Sequence, residues 1–392
     1  MNDLGVMPPE ARQDGLAERS AEIVFTNARI VTADEVLHGT VQVVDGVIVD
    51  VSAGESAVPG AVDFEGDYLL PGLVDVHTDH LEKTSMPRAG MFWHPMNAAM
   101  THDIILAAAG ITTVFDSLVV GAVGNPDRRK LLPLMIQGLA DARKAGLLRI
   151  DHLLHMRCDA REAGLMDLLD PYLDDPLVRF VTLLDDSPGR DIERFRRTMR
   201  RRKMSEEEIA REEAEAATED AFARANRLAF VEACKARAMP FASHDDTLAE
   251  HIAEAEGFGM TISEFPISIE SARAAGAAGM AIITGSPNIV AGRSHVGNVS
   301  GRDLAAEGLI DIVCSDYIPA SLLHALWVLT ADPIGLDLPQ AIAMGSKRPA
   351  ELFGLSDRGE IAPGLRADLS RVNEHDGRPI VRNVWVAGRQ VL

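Results

Sequence analysis

The sequence predicts a protein of the α/β class, with a (β/α)8 TIM-like barrel and a small accessory β domain built from both chain ends. Between about residues 69 and 320, short apolar stretches alternate with helical stretches, and most apolar stretches end in polar residues. Both chain ends carry the alternating apolar and polar residues that strands show. The length of 392 residues accommodates a barrel of about 250 residues plus an accessory domain.

The accessory domain is predicted from residues 21–68 and 359–392, after an N-terminal tail of residues 1–20 that we expect to be loosely ordered. Residues 22–53 alternate with the period of strands and break at Asp45-Gly46, which is a hairpin signal. The C-terminal segment has the same character. The two ends are therefore expected to pair in one domain, with the barrel inserted between them.

The barrel is predicted over residues 69–358. Buried parallel strands are apolar on both faces, so polar residues at their C-terminal ends need partners, and barrel enzymes place their chemistry at that end. The eight strands are assigned to residues 70–78, 112–116, 151–159, 179–186, 241–246, 260–264, 280–284 and 310–316.

A charged stretch over residues 190–237 interrupts the barrel pattern. Ser205 followed by Glu208 is a capping-box pattern, which predicts that a helix begins there. Mixed charge runs usually face water, so we interpret the stretch as a solvated helical excursion. A lid or a subunit contact is the alternative, in which residues 200–203 would help to hold an anionic ligand.

Composition excludes several classes of protein. The net charge of −21 argues against nucleic-acid binding, which relies on Lys and Arg to neutralise phosphates. No segment resembles a secretory signal or a membrane span. The widely spaced Cys158, Cys234 and Cys314 fit neither a disulfide framework nor a zinc ribbon, and are expected to be buried reduced thiols. We predict a cytoplasmic protein that could form a homo-oligomer.

The end of the first barrel strand predicts a metal site. His77 and Asp79 lie two residues apart, so on a strand both side chains point the same way and can reach one cation. The ends of the other barrel strands also carry carboxylates, named below, and carboxylates gathered at one end of a barrel would repel one another without cations. One or two divalent metal ions are therefore predicted, with zinc favoured and manganese or iron as alternatives. The other strand ends contribute Asp116, His155, Asp159, Asp185, Asp186, His244, Asp245, Asp246, Glu264 and Asp316.

Simpler interpretations exist for several of these residues. Asp116 and Glu264 could orient neighbouring groups, and Asp245 and Asp246 could cap the helix that follows His244.

Of the remaining histidines, only one is expected to enter the site. His152 and His155 lie three residues apart on one strand and face opposite ways, so at most one enters the site, and we favour His155. Four other histidines are interpreted as surface or packing residues: His80, His94, His102 and His251.

The loop after the seventh strand, residues 285–298, is a candidate anion cradle. Its glycines let the backbone approach a ligand, and Ser286, Asn288, Arg293 and His295 offer donors to phosphate oxygens. The spacing does not match a P-loop, and a tight structural loop explains the sequence equally well.

Motifs along almost the whole chain resemble one known family. From about residue 22 to the C-terminus, the chain resembles the amidohydrolase superfamily and, within it, the phosphonate-metabolism hydrolases of the PhnM type. The motifs lie at residues 70–79, 81–83, 86–88, 109–114, 155–158, 187–189, 242–246, 264–266, 287–290, 294–298 and 315–322.

The resemblance implies hydrolysis of α-D-ribose 1-methylphosphonate 5-triphosphate to the 5-phosphate and diphosphate, so the partner would be a small phosphorylated ribose. This reaction needs an activated water and neutralisation of phosphoryl charge, both of which a metal ion supplies. We expect His77, Asp79, His155, His244 and Asp316 to hold metal. Asp316 and His244 are the catalytic candidates, with Asp316 directing the water. The triphosphate would be gripped by Lys83, Arg88, Arg157 and Arg293.

The first motif departs from the superfamily pattern. Many relatives carry His-x-His there, whereas this chain has His77-x-Asp79. No strand-four lysine of the kind that bridges two metals in some relatives is evident, so Asp159 or an acid of strand four could bridge instead.

Two other functions are compatible with the sequence. One is hydrolysis of a cyclic amide or an aminated base, which shares the fold and the metal. The other is a catalytically inactive barrel that serves as a binding protein, but such descendants usually lose metal ligands.

Overall fold

The computed structural model describes residues 22–123, 125–216, 219–294 and 297–392. The predicted tail of residues 1–20 and the predicted cradle residue His295 lie outside these ranges.

The two chain ends form one eight-stranded, mostly antiparallel sheet. Its N-terminal strands are β1 (Glu22–Val31), β2 (Val36–Val44), β3 (Val47–Ala53), β4 (Val62–Asp63) and β5 (Tyr68–Pro71). The sheet order is completed by three C-terminal strands, Leu369–His375, Arg378–Val386 and Arg389–Gln390, the first of which pairs with β5. The predicted pairing of the two chain ends is confirmed.

The predicted hairpin lies between β2 and β3. Asp45 and Gly46 have φ angles of +50° and +79°, the combination that a tight hairpin turn requires. The sheet buries an aromatic cluster in which the ring centroids of Phe25 and Trp385 lie 4.9 Å apart.

The second sheet is an eight-stranded parallel barrel with its strands in chain order. The barrel closes at its C-terminal rim, where the Asp316 amide donates to the His77 carbonyl (2.9 Å) and the Asp79 amide donates to the Asp316 carbonyl (2.7 Å). The predicted barrel is confirmed. Its strands are β6 (Leu73–Thr78), β7 (Ile111–Val120), β8 (Asp151–Asp159), β9 (Val178–Leu184), β10 (Phe241–His244), β11 (Ile262–Glu264), β12 (Ala281–Gly285) and β13 (Ile312–Cys314). The three C-terminal strands given above are β14, β15 and β16.

The first predicted strand is in fact two strands. Residues up to Pro71 pair in the accessory sheet, and the barrel strand begins at Leu73. Gly72 lies between them, and a Cβ atom there would lie 2.2 Å from the Thr112 hydroxyl. The apolar run is continuous through both strands, so its sequence does not show where one sheet ends and the other begins.

Helices pack around the barrel and also close its lower end. Phe353 lies 4.8 Å from Phe115 and 4.9 Å from Phe180 between ring centroids, which fills the interior opposite the mouth. The helices that precede the excursion are α1 (His80–Ser85), α2 (Pro95–Ala108), α3 (Pro126–Lys144) and α4 (Leu165–Leu173). Those of the excursion are α5 (Ile192–Arg201), α6 (Glu206–Ala216) and α7 (Glu219–Ala236). Those that follow are α8 (Ala249–Gly257), α9 (Ile269–Ala277), α10 (Ser286–Ala291), α11 (Gly301–Ala306), α12 (Ser321–Leu329), α13 (Leu338–Ala343) and α14 (Lys347–Leu352).

The excursion contains the predicted capping box. The Ser205 amide donates to the Glu208 carboxylate (2.7 Å), and the Glu208 amide donates to the Ser205 hydroxyl (3.3 Å). Phe195, Met199 and Ile209 form a small apolar cluster of their own between α5 and α6.

Two further predictions concern the whole chain. None of the helices in the described part of the chain combines the length and apolarity that a bilayer-spanning helix requires. Cys158, Cys234 and Cys314 are buried and form no disulfide bond, as expected.

Candidate metal centre

The strand ends bring imidazole and carboxylate groups from distant parts of the chain into one cluster. His77 Nδ1 lies 2.6 Å from Glu264 Oε1, and both side chains are completely buried. His77 Nε2 lies 3.6 Å from Asp79 Oδ1. His77, Asp79 and Asp316 each offer a ligand atom within 4.8 Å of the others, and so do His77, His155 and Glu264.

Among the buried atoms without a hydrogen-bond partner are His77 Nε2, Glu264 Oε2 and His244 Nε2. Leaving a buried polar atom unpaired costs about 1–3 kcal/mol, so these imidazole and carboxylate atoms in one region indicate a bound group. Imidazole nitrogens and carboxylate oxygens are metal ligands. The residues present therefore fit a divalent cation, with His77, Asp79 and Asp316 in place to hold it and Glu264 against His77.

The charges of the cluster affect one another strongly. Burial acts to raise the pKa of Glu264, but His77 and His155 hold that pKa well below its ordinary value. In the same way, Arg157 outweighs burial and holds the pKa of Asp79 well below its usual range. Burial raises the pKa of Asp316, which makes this carboxylate a better proton acceptor than an exposed one.

Two predicted metal ligands have other partners, although one of them, His155, also belongs to a candidate metal group. His155 Nδ1 contacts the Ser117 hydroxyl (3.0 Å), and its Nε2 contacts the Thr182 hydroxyl (2.7 Å), so both ring nitrogens are engaged. The Asp159 carboxylate contacts Arg161 at 3.3 Å. It is in none of the candidate metal groups found among the described residues.

His244 lies next to the centre, with its ring centroid 6.2 Å from that of His77. Its Nδ1 is 3.3 Å from Asp245 Oδ2, so the unpartnered Nε2 is the atom that remains for chemistry.

The predicted phosphate-binding cations occupy different environments. Arg157 is mostly buried and its guanidinium donates to Asp79, which places it at the metal centre. Lys83 is exposed and donates to the Tyr317 carbonyl (2.7 Å). Arg88 and Arg293 are exposed.

The loop after β12 is held by its own polar residues. Asn288 donates to the Val299 carbonyl (3.0 Å) and accepts from the Gly301 amide (3.0 Å). The Ser286 and Ser321 hydroxyls lie 2.5 Å apart. These contacts favour the structural interpretation of this loop over the anion cradle.

The acids at the ends of β9 and β10 are neutralised by arginines of residues 190–237. Arg194 contacts Asp186 (2.8 Å) and Asp245 (2.6 Å). Two further pairs are Arg190 with Asp246 (3.2 Å) and Arg227 with Asp185. The alternative that Asp245 and Asp246 cap the next helix was wrong, because the N-cap of α8 is Leu248 and no side chain caps it.

A second cluster was missed by the sequence analysis. His80 Nδ1 lies 3.0 Å from His102 Nδ1, and His102 Nε2 lies 2.6 Å from Asp116 Oδ1. Asp116 Oδ2 lies 2.7 Å from His152 Nδ1, and His152 Nε2 lies 3.4 Å from Asp103. None of the unpartnered buried atoms found among the described residues belongs to this second cluster, in contrast to the metal centre. We therefore interpret the second cluster as a hydrogen-bonded ionic network.

The alternation of side-chain directions along a strand is the signal from which this network could have been predicted. Phe115 faces the barrel interior, so its neighbour Asp116 faces the surrounding helices. The same alternation directs His152 to the face opposite to that of His155, as predicted. A charged residue on the outward face of a buried strand needs a partner from the helical layer, and His102 on α2 is that partner.

Comparisons with known proteins agree with this architecture. The amidohydrolase family model matches residues 179–391. The α-D-ribose 1-methylphosphonate 5-triphosphate diphosphatase of Escherichia coli (strain K12) is 36% identical over 378 residues, which cover 94% of this chain and 100% of that protein.

Solved structures of low sequence identity share the fold. N-acetyl-D-glucosamine-6-phosphate deacetylase from Mycobacterium smegmatis aligns over 95% of this chain and 100% of its own, with 17% identity and a TM-score of 0.64. Dihydropyrimidinase from Brevibacillus agri aligns over 95% of each chain, with 14% identity and a TM-score of 0.61. The barrel, the family match and the full-length relative lead to one conclusion: the chain belongs to the amidohydrolase family.

Proposed function

We propose that the chain is a metal-dependent hydrolase that converts α-D-ribose 1-methylphosphonate 5-triphosphate to the 5-phosphate and diphosphate. The observation that carries the proposal is the similarity to the Escherichia coli diphosphatase, which extends over that protein's whole length. The candidate metal group of His77, Asp79 and Asp316 supports it, since phosphoanhydride hydrolysis requires charge neutralisation and an activated water.

The metal we assign to this centre is zinc, with manganese or iron as alternatives, because the donors are imidazole and carboxylate. When bound, such a cation lowers the pKa of water and offsets the negative charge of phosphoryl oxygens.

The protein side chains supply the remaining steps. Asp316, whose pKa burial raises, accepts a proton as water attacks the α-phosphorus. The bond from that phosphorus to the bridging oxygen breaks, and diphosphate leaves with the electron pair. Arg157 supplies positive charge beside Asp79. His244 Nε2 either binds the cation or protonates the departing diphosphate.

The reactants are small molecules, and we propose the cytoplasm as the location, which suits three unbonded thiols.

The test is purification without chelator, metal analysis, and an assay of diphosphate release from the phosphonate triphosphate and from ATP. We expect release from the phosphonate compound at a higher kcat/KM, and loss of release after metal removal. Absence of diphosphate release, together with hydrolysis of a cyclic amide or ammonia release from an aminated base, would instead support the alternative amidohydrolase function.

A further inference from the structure

A cavity of about 220 Å³ lies between the excursion helices and the mouth of the barrel. One wall is formed by residues that follow barrel strands: Val123 after β7, Arg161 after β8 and Asp186 after β9. The opposite wall comes from α5 and α6. The cavity therefore lies on the face of the barrel where the metal centre is, and not on the closed lower end.

One ion pair links the wall of the cavity to the residue that follows His244 in the sequence. Arg194 lines the cavity, and its guanidinium contacts the Asp245 carboxylate (2.6 Å) and the Asp245 carbonyl (3.1 Å). Asp245 directly follows His244. The cavity and the His244 segment are thus connected through the Arg194 side chain.

Most charges around the cavity are already paired. Arg194 is paired with Asp186, and Arg161 with Asp159. Within the described ranges, neither Arg202 nor Glu212 has an oppositely charged group within ion-pair distance. A cationic donor and an anionic acceptor without an ion-pair partner thus face the same space.

The remaining lining is partly apolar. Phe195 and Met199 project from α5 into this wall, and both side chains are nearly completely buried. The cavity therefore offers a cation, a hydrogen-bond acceptor and an apolar surface together. A hydroxylated anion with a small apolar substituent has the matching chemistry: a guanidinium binds phosphonate oxygens, and a carboxylate accepts hydroxyl protons.

We propose that this cavity is the subsite for the ribose 1-methylphosphonate end of the substrate, with Arg202 binding the phosphonate and Glu212 a sugar hydroxyl. Phe195 and Met199 contact the methyl group. The inference rests on the proposed function, in which the triphosphate must reach His77 and Asp316, so the opposite end of the substrate needs a separate site. At about 30 Å³ per liquid water, the cavity has the volume of roughly seven waters, which suits a pentose and not the whole substrate.

The test compares Arg202→Met, at the C-cap of α5, with Arg197→Met, a matched control within α5 that is exposed and does not line the cavity. Diphosphate release is measured on two compounds, the full substrate and ribose 5-triphosphate, which lacks the phosphonate. Because a charge-assisted hydrogen bond is lost, we expect Arg202→Met to raise KM for the full substrate about tenfold or more. The preference for the full substrate over ribose 5-triphosphate, as a ratio of kcat/KM, should fall by the same factor. The control should keep the wild-type ratio.

A second readout needs no turnover. Calorimetry of α-D-ribose 1-methylphosphonate 5-phosphate binding should show about tenfold weaker affinity for Arg202→Met than for Arg197→Met. Arg202 is exposed, so its replacement does not threaten folding. An unchanged kcat/KM ratio and an unchanged affinity in Arg202→Met would overturn the subsite and leave the proposed function standing. Wild-type enzyme that releases no diphosphate from either compound would overturn the proposed function, and the subsite with it.

Discussion

Replacement of Asp116 by asparagine is expected to destabilise the protein by roughly 3–5 kcal/mol. Asp116 accepts hydrogen bonds from His102 (2.6 Å) and His152 (2.7 Å), and all three side chains are buried. Removal of one partner from a buried ion pair leaves the other charge uncompensated, which costs about 3–5 kcal/mol. The asparagine can accept one of the two bonds, but its amide group then faces an N–H of the other ring.

The penalty should depend on pH. Burial lowers the pKa of His152, but Asp116 and Asp103 outweigh burial and raise it from 6.5 to about 9. At about 1.4 kcal/mol per pKa unit, protonated His152 contributes roughly 3 kcal/mol of stability. Since the folded pKa is the higher one, this contribution is complete below about pH 6.5 and is lost as the pH rises through about 9. The variant lacks Asp116, so its deficit should shrink over the same interval.

The assay is urea unfolding of wild type and variant at pH 6.0, 7.5 and 9.5. Asp127→Asn is the control, because Asp127 forms an exposed pair with Lys130 (3.0 Å) that is worth at most about 1 kcal/mol. A deficit below about 1 kcal/mol for the Asp116 variant, or a deficit that is constant with pH, would refute the ionic network.

Three further predictions concern the mouth of the barrel. Asp316→Asn should lower kcat by about 10²–10⁴-fold with an unchanged circular dichroism spectrum, because the proton acceptor is lost, and retained turnover would exclude this role. Glu264→Gln should weaken metal binding by about 10- to 100-fold in competition with a chelator, because Glu264 orients His77, whereas unchanged affinity would place Glu264 outside the metal site. Arg194→Met should lower Tm by a few degrees and speed proteolysis within α5 and α6, because Asp186 and Asp245 lose their shared partner, and equal cleavage rates would contradict this anchoring.

The barrel could be predicted because burial is visible in sequence. Each parallel strand is covered on both faces, so it appears as an apolar run that ends in polar residues. The prediction of the first strand was wrong, because Leu69 and Val74 belong to different sheets although both are completely buried. Residues of both strands are buried to the same extent, so only the hydrogen-bond partners of each strand show to which sheet it belongs.

The site was predicted in part for a similar reason. The side chains of His77, Asp79 and Asp316 approach one another as expected, since the ends of barrel strands share one rim. Glu264 was counted among the strand-end acids but not among the expected metal ligands, yet it lies against His77 at the centre. Asp159 was expected at the metal but contacts Arg161. Both are acids at strand ends, so residue type alone does not distinguish them.

Local features could be predicted from the order of the residues: the apolar strands, the Asp45-Gly46 turn, the capping box at Ser205 and the acids and imidazoles that follow the strands. These depend on neighbours within a few residues. The partner of each acid is a property of the folded chain, as when arginines of residues 190–237 neutralise Asp185 and Asp245. Electrostatic partners are set by distances of a few ångströms between segments far apart in the chain, and those distances exist only after folding.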